Sequence, residues 1–168
     1  MRTKTLFDGL TGLHNKRWIT EILPRQVKRA QQEKSSLSAC MIDIDYFKKL
    51  NDSFGHLAGD YVLSQIAICF RNYLRPTDFS SRYGGEEFLL IFLDMNSPEA
   101  LTAAERIRKK VSELKLVTPS KVELPKITIS LGVTQLKQHE DTREFLKRAD
   151  KALYKAKEEG RNRTMIAP

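Results

Sequence analysis

The sequence predicts an α/β (α+β) fold with a mixed, roughly five-stranded central sheet surrounded by helices. Amphipathic helical stretches alternate with short apolar runs along 168 residues, the arrangement that lays helices on the faces of a sheet. Two adjacent runs, Phe79–Tyr83 and Glu87–Leu93, meet across Gly84-Gly85 as a hairpin, a pair suited to the positive φ of such a turn, so the sheet is mixed and not doubly wound and parallel. A hydrophobic content of 40% over this length fits one domain, residues 1–168, with a core of its own.

Each element has a local reason. Trp18, Ile19, Ile22, Leu23 and Val27 mark an amphipathic helix from Lys16 to Gln32, interrupted or tilted near Pro24. Leu37–Ile44 reads as a buried strand ending on Asp43-Ile44-Asp45, followed by a short helical piece from Phe47 to Asn51 and a loop at Ser53-Phe54-Gly55. Val62, Ile66, Cys69, Phe70 and Tyr73 keep the 3.6-residue period of a further helix, which Pro76 ends. After the hairpin, Ser97-Pro98-Glu99 supplies an N-cap, a first-turn proline and a first-turn acid for a helix facing inward through Ala100, Ala103, Ala104, Ile107, Val111 and Leu114. Ile127 to Thr134 alternates apolar and polar residues as a half-buried strand. Asp141 and Glu144 resemble a capping box for a last helix that Gly160 stops, and Thr164-Met165-Ile166 forms a short final strand.

Composition excludes several classes. No stretch approaches the roughly 18 apolar residues of a membrane span, and the opening residues lack the apolar centre of a signal peptide, so a cytoplasmic protein is expected. Cys40 and Cys69 lie among apolar residues without metal-site spacing and read as buried free thiols. The formal charge of +8 favours an anionic partner, but neither aromatic interleaving nor a recognition motif supports nucleic acid.

The chemistry concentrates in RYGGEEF, residues 82–88, and in IDIDYFKKLNDSFGHLAGD, residues 42–60. Alone, a Glu-Glu pair beside a turn is an ordinary solvated hairpin, and Lys48 or His56 an ordinary surface residue. If the strand ending at Asp43 lies beside the hairpin, Asp43, Glu86 and Glu87 come together, and like charges that close need a cation. Oxygen-only ligands suit Mg²⁺ or Mn²⁺ bound with a substrate's phosphates. The basic cluster Lys155, Lys157, Arg161 and Arg163 is either a complemented helix C-terminus or a phosphate clamp.

The segments DGLTGLHNKR (8–17), DIDYFKKLNDSFGHLAGD (43–60), RYGGEEF (82–88), ITISLGV (127–133) and ADKALYKAKEEGRNR (149–163) together resemble the GGDEF family of diguanylate cyclases over essentially the whole chain. The resemblance implies a fold similar to nucleotidyl cyclases and polymerase palms. It also implies condensation of two GTP into cyclic di-GMP with release of two pyrophosphates, across a homodimer in which each domain holds one GTP. Asp43, the Ile44 carbonyl, Glu86 and Glu87 would hold Mg²⁺ or Mn²⁺, with Glu86 also the general base and Lys48 stabilising transition-state charge. Asn51 and Asp60 would read guanine, with His56, Phe47, Gly84 and Gly85 lining the GTP pocket and Lys157 and Arg161 binding phosphate.

RPTD, residues 75–78, resembles the family's product-inhibition site, with Arg75 and Asp78 binding cyclic di-GMP and Arg106 completing it. Lys16 and Gly9 depart from the usual pattern without touching these residues. The chain starts almost at the family motif, which implies a domain excised from a longer protein with an N-terminal regulatory module. The competing reading is a catalytically weak module that binds GTP or cyclic di-GMP and regulates a partner. Degenerate relatives of that kind lose signature acids, and these acids are all present.

Overall fold

The computed structural model describes residues 5–168; the charged opening at residues 1–4, part of the segment read above for a leader, lies outside them. Six strands form one sheet: β1 (His14–Asn15), β2 (Leu37–Ile44), β3 (Phe79–Arg82), β4 (Glu87–Leu93), β5 (Ile129–Gln135) and β6 (Thr164–Ile166). Their order is β1-β3-β4-β2-β5-β6, with β2 antiparallel to both β4 and β5, while the outer pairs β1/β3 and β5/β6 run parallel. Five helices cover it: α1 (Lys16–Glu33), α2 (Phe47–Phe54), α3 (His56–Tyr73), α4 (Ser97–Ser112) and α5 (Thr142–Glu158). The expected mixed α/β class holds. The sixth strand is β1, too short for any alternation to mark it.

Two cores flank the sheet. Cys40, Ile42 and Ile44 of β2 face α3 and α4, while Leu37, Ala39 and Met41 face α1 and α5. All eight residues of β2 are therefore buried, which explains why its sequence is apolar apart from Ser38 and Asp43. Phe70 of α3 meets Phe88 of β4 edge-on at 5.1 Å, and each ring contributes about 2–3 kcal/mol by leaving water. Cys40 and Cys69 are buried free thiols, as expected, and burial pushes the Cys69 thiol up to about 11. No described helix is long and apolar enough to cross a membrane.

Several local expectations are corrected. Helix α1 runs unbroken through Pro24, because that residue faces solvent and the amide it lacks would have lain on the wet side. The expected loop at Ser53-Phe54-Gly55 is mostly helix: α2 continues to Phe54, and Gly55 alone, at φ 88°, separates it from α3. The cap of α4 is Asn96, whose side chain exchanges hydrogen bonds with Glu99 as a capping box, leaving Ser97 and Pro98 inside the first turn. Asp141 caps α5 as expected.

Strand β5 is not half-buried, since Ser130, Gly132 and Thr134 are enclosed as fully as Leu131 and Val133. Helix α5 lies directly on that face. A Cβ at Gly132 would stand 2.3 Å from both the Ala149 carbonyl oxygen and the Leu153 amide nitrogen, so glycine is what lets the helix approach. Replacing Gly132 by valine is expected to cost about 3 kcal/mol or more through forced separation of α5, a fall in melting temperature of roughly 9 °C. A thermal melt indistinguishable from the parent's would contradict this packing.

Candidate active site

The antiparallel register places Asp43, near the end of β2, directly opposite Glu87, the first residue of β4. The connection from β3 to β4 is Tyr83-Gly84-Gly85-Glu86, with the Tyr83 and Gly84 amides both donating to the Glu87 carbonyl at 2.8 and 3.1 Å. One expectation fails here, because neither Gly84 nor Gly85 has a positive φ. Their reason is space: a Cβ on Gly84 would come within 3.1 Å of the Glu87 carboxylate, while Gly85 borders open volume. The glycines keep the turn thin beside two acids.

A cleft of about 470 Å³ opens beside this turn, lined by Phe47, Asn51, His56, Asp60, Leu63, Arg82, Gly84, Gly85, Glu86 and Glu87. Eight of those residues were singled out from the sequence; Leu63 and Arg82 were not. A hollow of similar volume between α1 and α5 contains one acid, Asp150, and none of the clustered carboxylates.

Helices α2 and α3 meet at Gly55 and so project Asn51 and Asp60 into the same cleft. Gly59 sets their spacing, for a Cβ there would overlap the Asn51 amide oxygen at 1.9 Å and press on Phe47. That amide oxygen is buried without a hydrogen-bond partner, an acceptor left for a ligand donor.

Asp43 is enclosed, and its Oδ2 accepts from the Lys157 ammonium at the C-terminal end of α5. Its Oδ1 is buried without a partner. Burial, and then repulsion from Asp43, push the Glu86 carboxyl above its ordinary range; Glu87 adds to the effect and Lys157 opposes it. Ile44 follows Asp43, its amide donating to the Glu86 carbonyl at 3.3 Å. Among the described residues no three His, Cys, Asp or Glu side chains close on one point as a preformed metal cluster.

Asp45, two residues on, has a different task. Its carboxylate accepts from Thr128 at 2.7 Å, Ser130 at 2.6 Å and the Asn162 amide at 3.0 Å. It thereby holds the turn after α5, where Arg161 and Asn162 take left-handed backbone angles of 63° and 44°. Arg108 grips the same turn through the Asn162 side-chain oxygen at 2.9 Å. Arg161 lies over the ring of Tyr46 at 4.7 Å, and Tyr46 is itself left-handed at the head of α2. Lys48, by contrast, is exposed on α2 and does not line the cleft.

Arg82 fixes the turn from behind. Its Nε and Nη2 donate to the Gly85 carbonyl at 3.2 and 2.8 Å, and its Nη1 reaches Asp8 at 3.2 Å. Burial alone would raise the Asp8 carboxyl, but hydrogen bonds from Thr11 and the Arg82 charge hold it below the usual range.

The second set of expected residues gathers at the other end of the hairpin, about 20 Å along β4. Arg75 Nη2 donates to Asp78 at 2.7 Å and to the Leu93 carbonyl at 2.8 Å, while the Arg75 amide also donates to Asp78. The Asp78 side chain is only 2% exposed, so any ligand there must first draw Arg75 away. Arg106, from α4, donates to the Tyr73 carbonyl two residues before Arg75.

Fold and site together define a mixed-sheet α/β domain whose cleft holds Asp60, Glu86 and Glu87 around a glycine turn, with Asp43 paired to Lys157 on the adjoining strand. The chain belongs to the family described as diguanylate cyclase, GGDEF domain, which it matches over residues 5–163. It is 47% identical over 156 residues to the response regulator PleD of Caulobacter vibrioides, covering 92% of this chain but 34% of that protein. The chain thus spans about a third of the length of this curated relative. It superimposes on the GGDEF domain of DgcB from Caulobacter crescentus, solved in complex with c-di-GMP, with a TM-score of 0.95 at 36% identity, covering 99% and 98% of the two chains. The active GGEEF domain of a diguanylate cyclase from Vibrio cholerae matches with a TM-score of 0.85 at 35% identity, covering 92% and 97%.

The raised Glu86 carboxyl makes a pH-dependent prediction. The folded chain holds the Glu86 proton more tightly than the unfolded chain, so stability is lost as pH rises above about 4.5. In metal-free buffer Glu86→Gln is expected to melt higher than the parent at pH 7, with the difference shrinking as pH falls toward 4.5. A variant less stable at neutral pH would show that Glu86 is not under this strain.

Proposed function

We propose that this chain is a diguanylate cyclase condensing two GTP into cyclic di-GMP and two pyrophosphates. The observation that carries the reading is the register that sets Asp43 opposite Glu87, beside a glycine turn and a cleft shared with Asn51 and Asp60. Its relatives supply the reaction: one neighbour holds c-di-GMP, and another is an active cyclase with the same GGEEF signature.

The donor set fits a divalent cation. Asp43 keeps a buried, unpartnered oxygen, Glu86 and Glu87 stand near it, and all are hard oxygen ligands with neither sulfur nor imidazole among them. Asp43, Glu86, Glu87 and the Ile44 carbonyl would hold Mg²⁺ or Mn²⁺, which when bound neutralises charge developing on the triphosphate. Asp60 and the Asn51 amide oxygen accept from the guanine edge, which an adenine could not match. Lys157 and Arg161 take phosphate oxygens, and Lys48 swings in from α2 once substrate is present.

Glu86 is the group that accepts the ribose 3′-OH proton, and its raised affinity for protons suits it to do so. The freed oxygen forms a bond to the partner nucleotide's α-phosphorus as the bond to pyrophosphate breaks. Repeating the transfer in the opposite direction closes the ring. One domain holds one GTP, so two copies must face each other as a homodimer. At the far end of the hairpin, cyclic di-GMP would take Arg75 from Asp78 and engage Arg106, giving product inhibition.

Mass spectrometry after incubation of an enforced dimer with GTP and Mg²⁺ is expected to show cyclic di-GMP. Glu86→Gln should lose at least about a hundredfold in rate, the scale of a removed general base, while still binding GTP. An enforced dimer that binds GTP and makes no product would leave a regulatory nucleotide-binding module instead. Arg75→Ala is expected to weaken cyclic di-GMP binding and relieve inhibition, and unchanged affinity in calorimetry would remove Arg75 from the product site.

A further inference from the structure

Phosphate binding by Lys157 does not account for where that side chain rests. Its ammonium sits on Asp43, 114 residues away in sequence, so the strand acid expected to receive a metal already has a positive partner. Among the described residues it is the only cation in an ion pair with Asp43, Glu86 or Glu87. The backbone beneath it is held: the turn after α5 is fastened by Asp45 and Arg108 through Asn162. Leaving Asp43 therefore needs only rotation of the lysine's flexible four-carbon stem. Its neighbour Arg161 likewise has a partner within the chain, the Tyr46 ring.

We infer that Lys157 is the resident counter-ion of the metal site and couples metal binding to nucleotide binding. A divalent cation arriving alone at the free Oδ1 of Asp43 meets the Lys157 ammonium already on Oδ2, a repulsion in a half-enclosed site that is relieved only by displacing the lysine. A triphosphate arriving with the metal gives that ammonium a new partner, so the same displacement meets no penalty. Metal and nucleotide then favour each other by one shared factor, because such coupling is reciprocal. This rests on the GTP reading above for the second ligand, but the metal-only half stands without it.

The test is a Mn²⁺ titration followed by the paramagnetic resonance of the free ion, first without nucleotide and then with a non-hydrolysable GTP analogue. Binding of Mn²⁺ by the analogue alone is subtracted. Lys157→Met is expected to bind Mn²⁺ without nucleotide at least about tenfold more tightly than the parent, within the usual range of site-to-site coupling. Its enhancement of Mn²⁺ binding by the analogue should shrink toward one. Lys157→Arg, which keeps a cation, should stay close to the parent, and a thermal melt of each variant shows that it is folded. Equal metal-only affinity in the parent and a folded Lys157→Met would overturn the counter-ion role. If the parent takes up no analogue at all, the GTP reading fails, while the metal-only comparison still decides the role of Lys157.

Discussion

The pairing of β2 with strands on both sides is the constraint on which the site depends. Asp43 is held opposite Glu87 on one edge and Ser130 on the other, in ladders that extend back through Leu37 and Ser38. Side chains alternate along a strand, so a slip of one residue would move Asp43 to the other face and bury Ile42 or Ile44 wrongly. The two cores that enclose β2 therefore fix the acid along with the hydrophobic side chains. An enclosed carboxylate with one unpartnered oxygen is costly to hold, and Lys157 offsets part of that cost. The same imbalance makes the site receptive to a cation.

Two arginines then brace the β3/β4 hairpin at its ends. Arg82 holds the Gly85 carbonyl at the glycine turn and reaches Asp8, while Arg75 holds the Leu93 carbonyl and Asp78 at the opposite end. The paired ribbon between them joins the cleft to the proposed product site. The Asp8 contact also ties the glycine turn to the segment preceding β1, so displacement of that segment would reach the carbonyl of Gly85 through a single side chain.

Much of this was legible in the residue order. The buried strand Leu37–Ile44 and the helices α4 and α5 carried local signals, namely a continuous apolar run and caps followed by a 3.6-residue period. Family motifs marked most residues of the cleft. What escaped depended on distant partners: β1 exists only because β3 pairs with two of its residues, and the polar face of β5 is covered by a helix that begins seven residues later. Asp45 resembled Asp43 in sequence, yet its three donors lie 83 to 117 positions away and make it a brace for the α5 turn. The glycines of the β3/β4 turn were legible but backbone handedness is not their reason: Gly84 leaves room for the Glu87 carboxylate, and Gly85 borders open volume.

The central claim is that one register-locked carboxylate set binds metal and triphosphate together while Lys157 changes partner. A crystal structure with Mn²⁺ and a non-hydrolysable GTP analogue, with manganese placed by its anomalous signal, tests it most directly. The expected result is manganese between Asp43 and the Glu86-Glu87 pair, with the Lys157 ammonium on phosphate oxygens. Manganese elsewhere, or Lys157 still resting on Asp43 with both ligands bound, would contradict it.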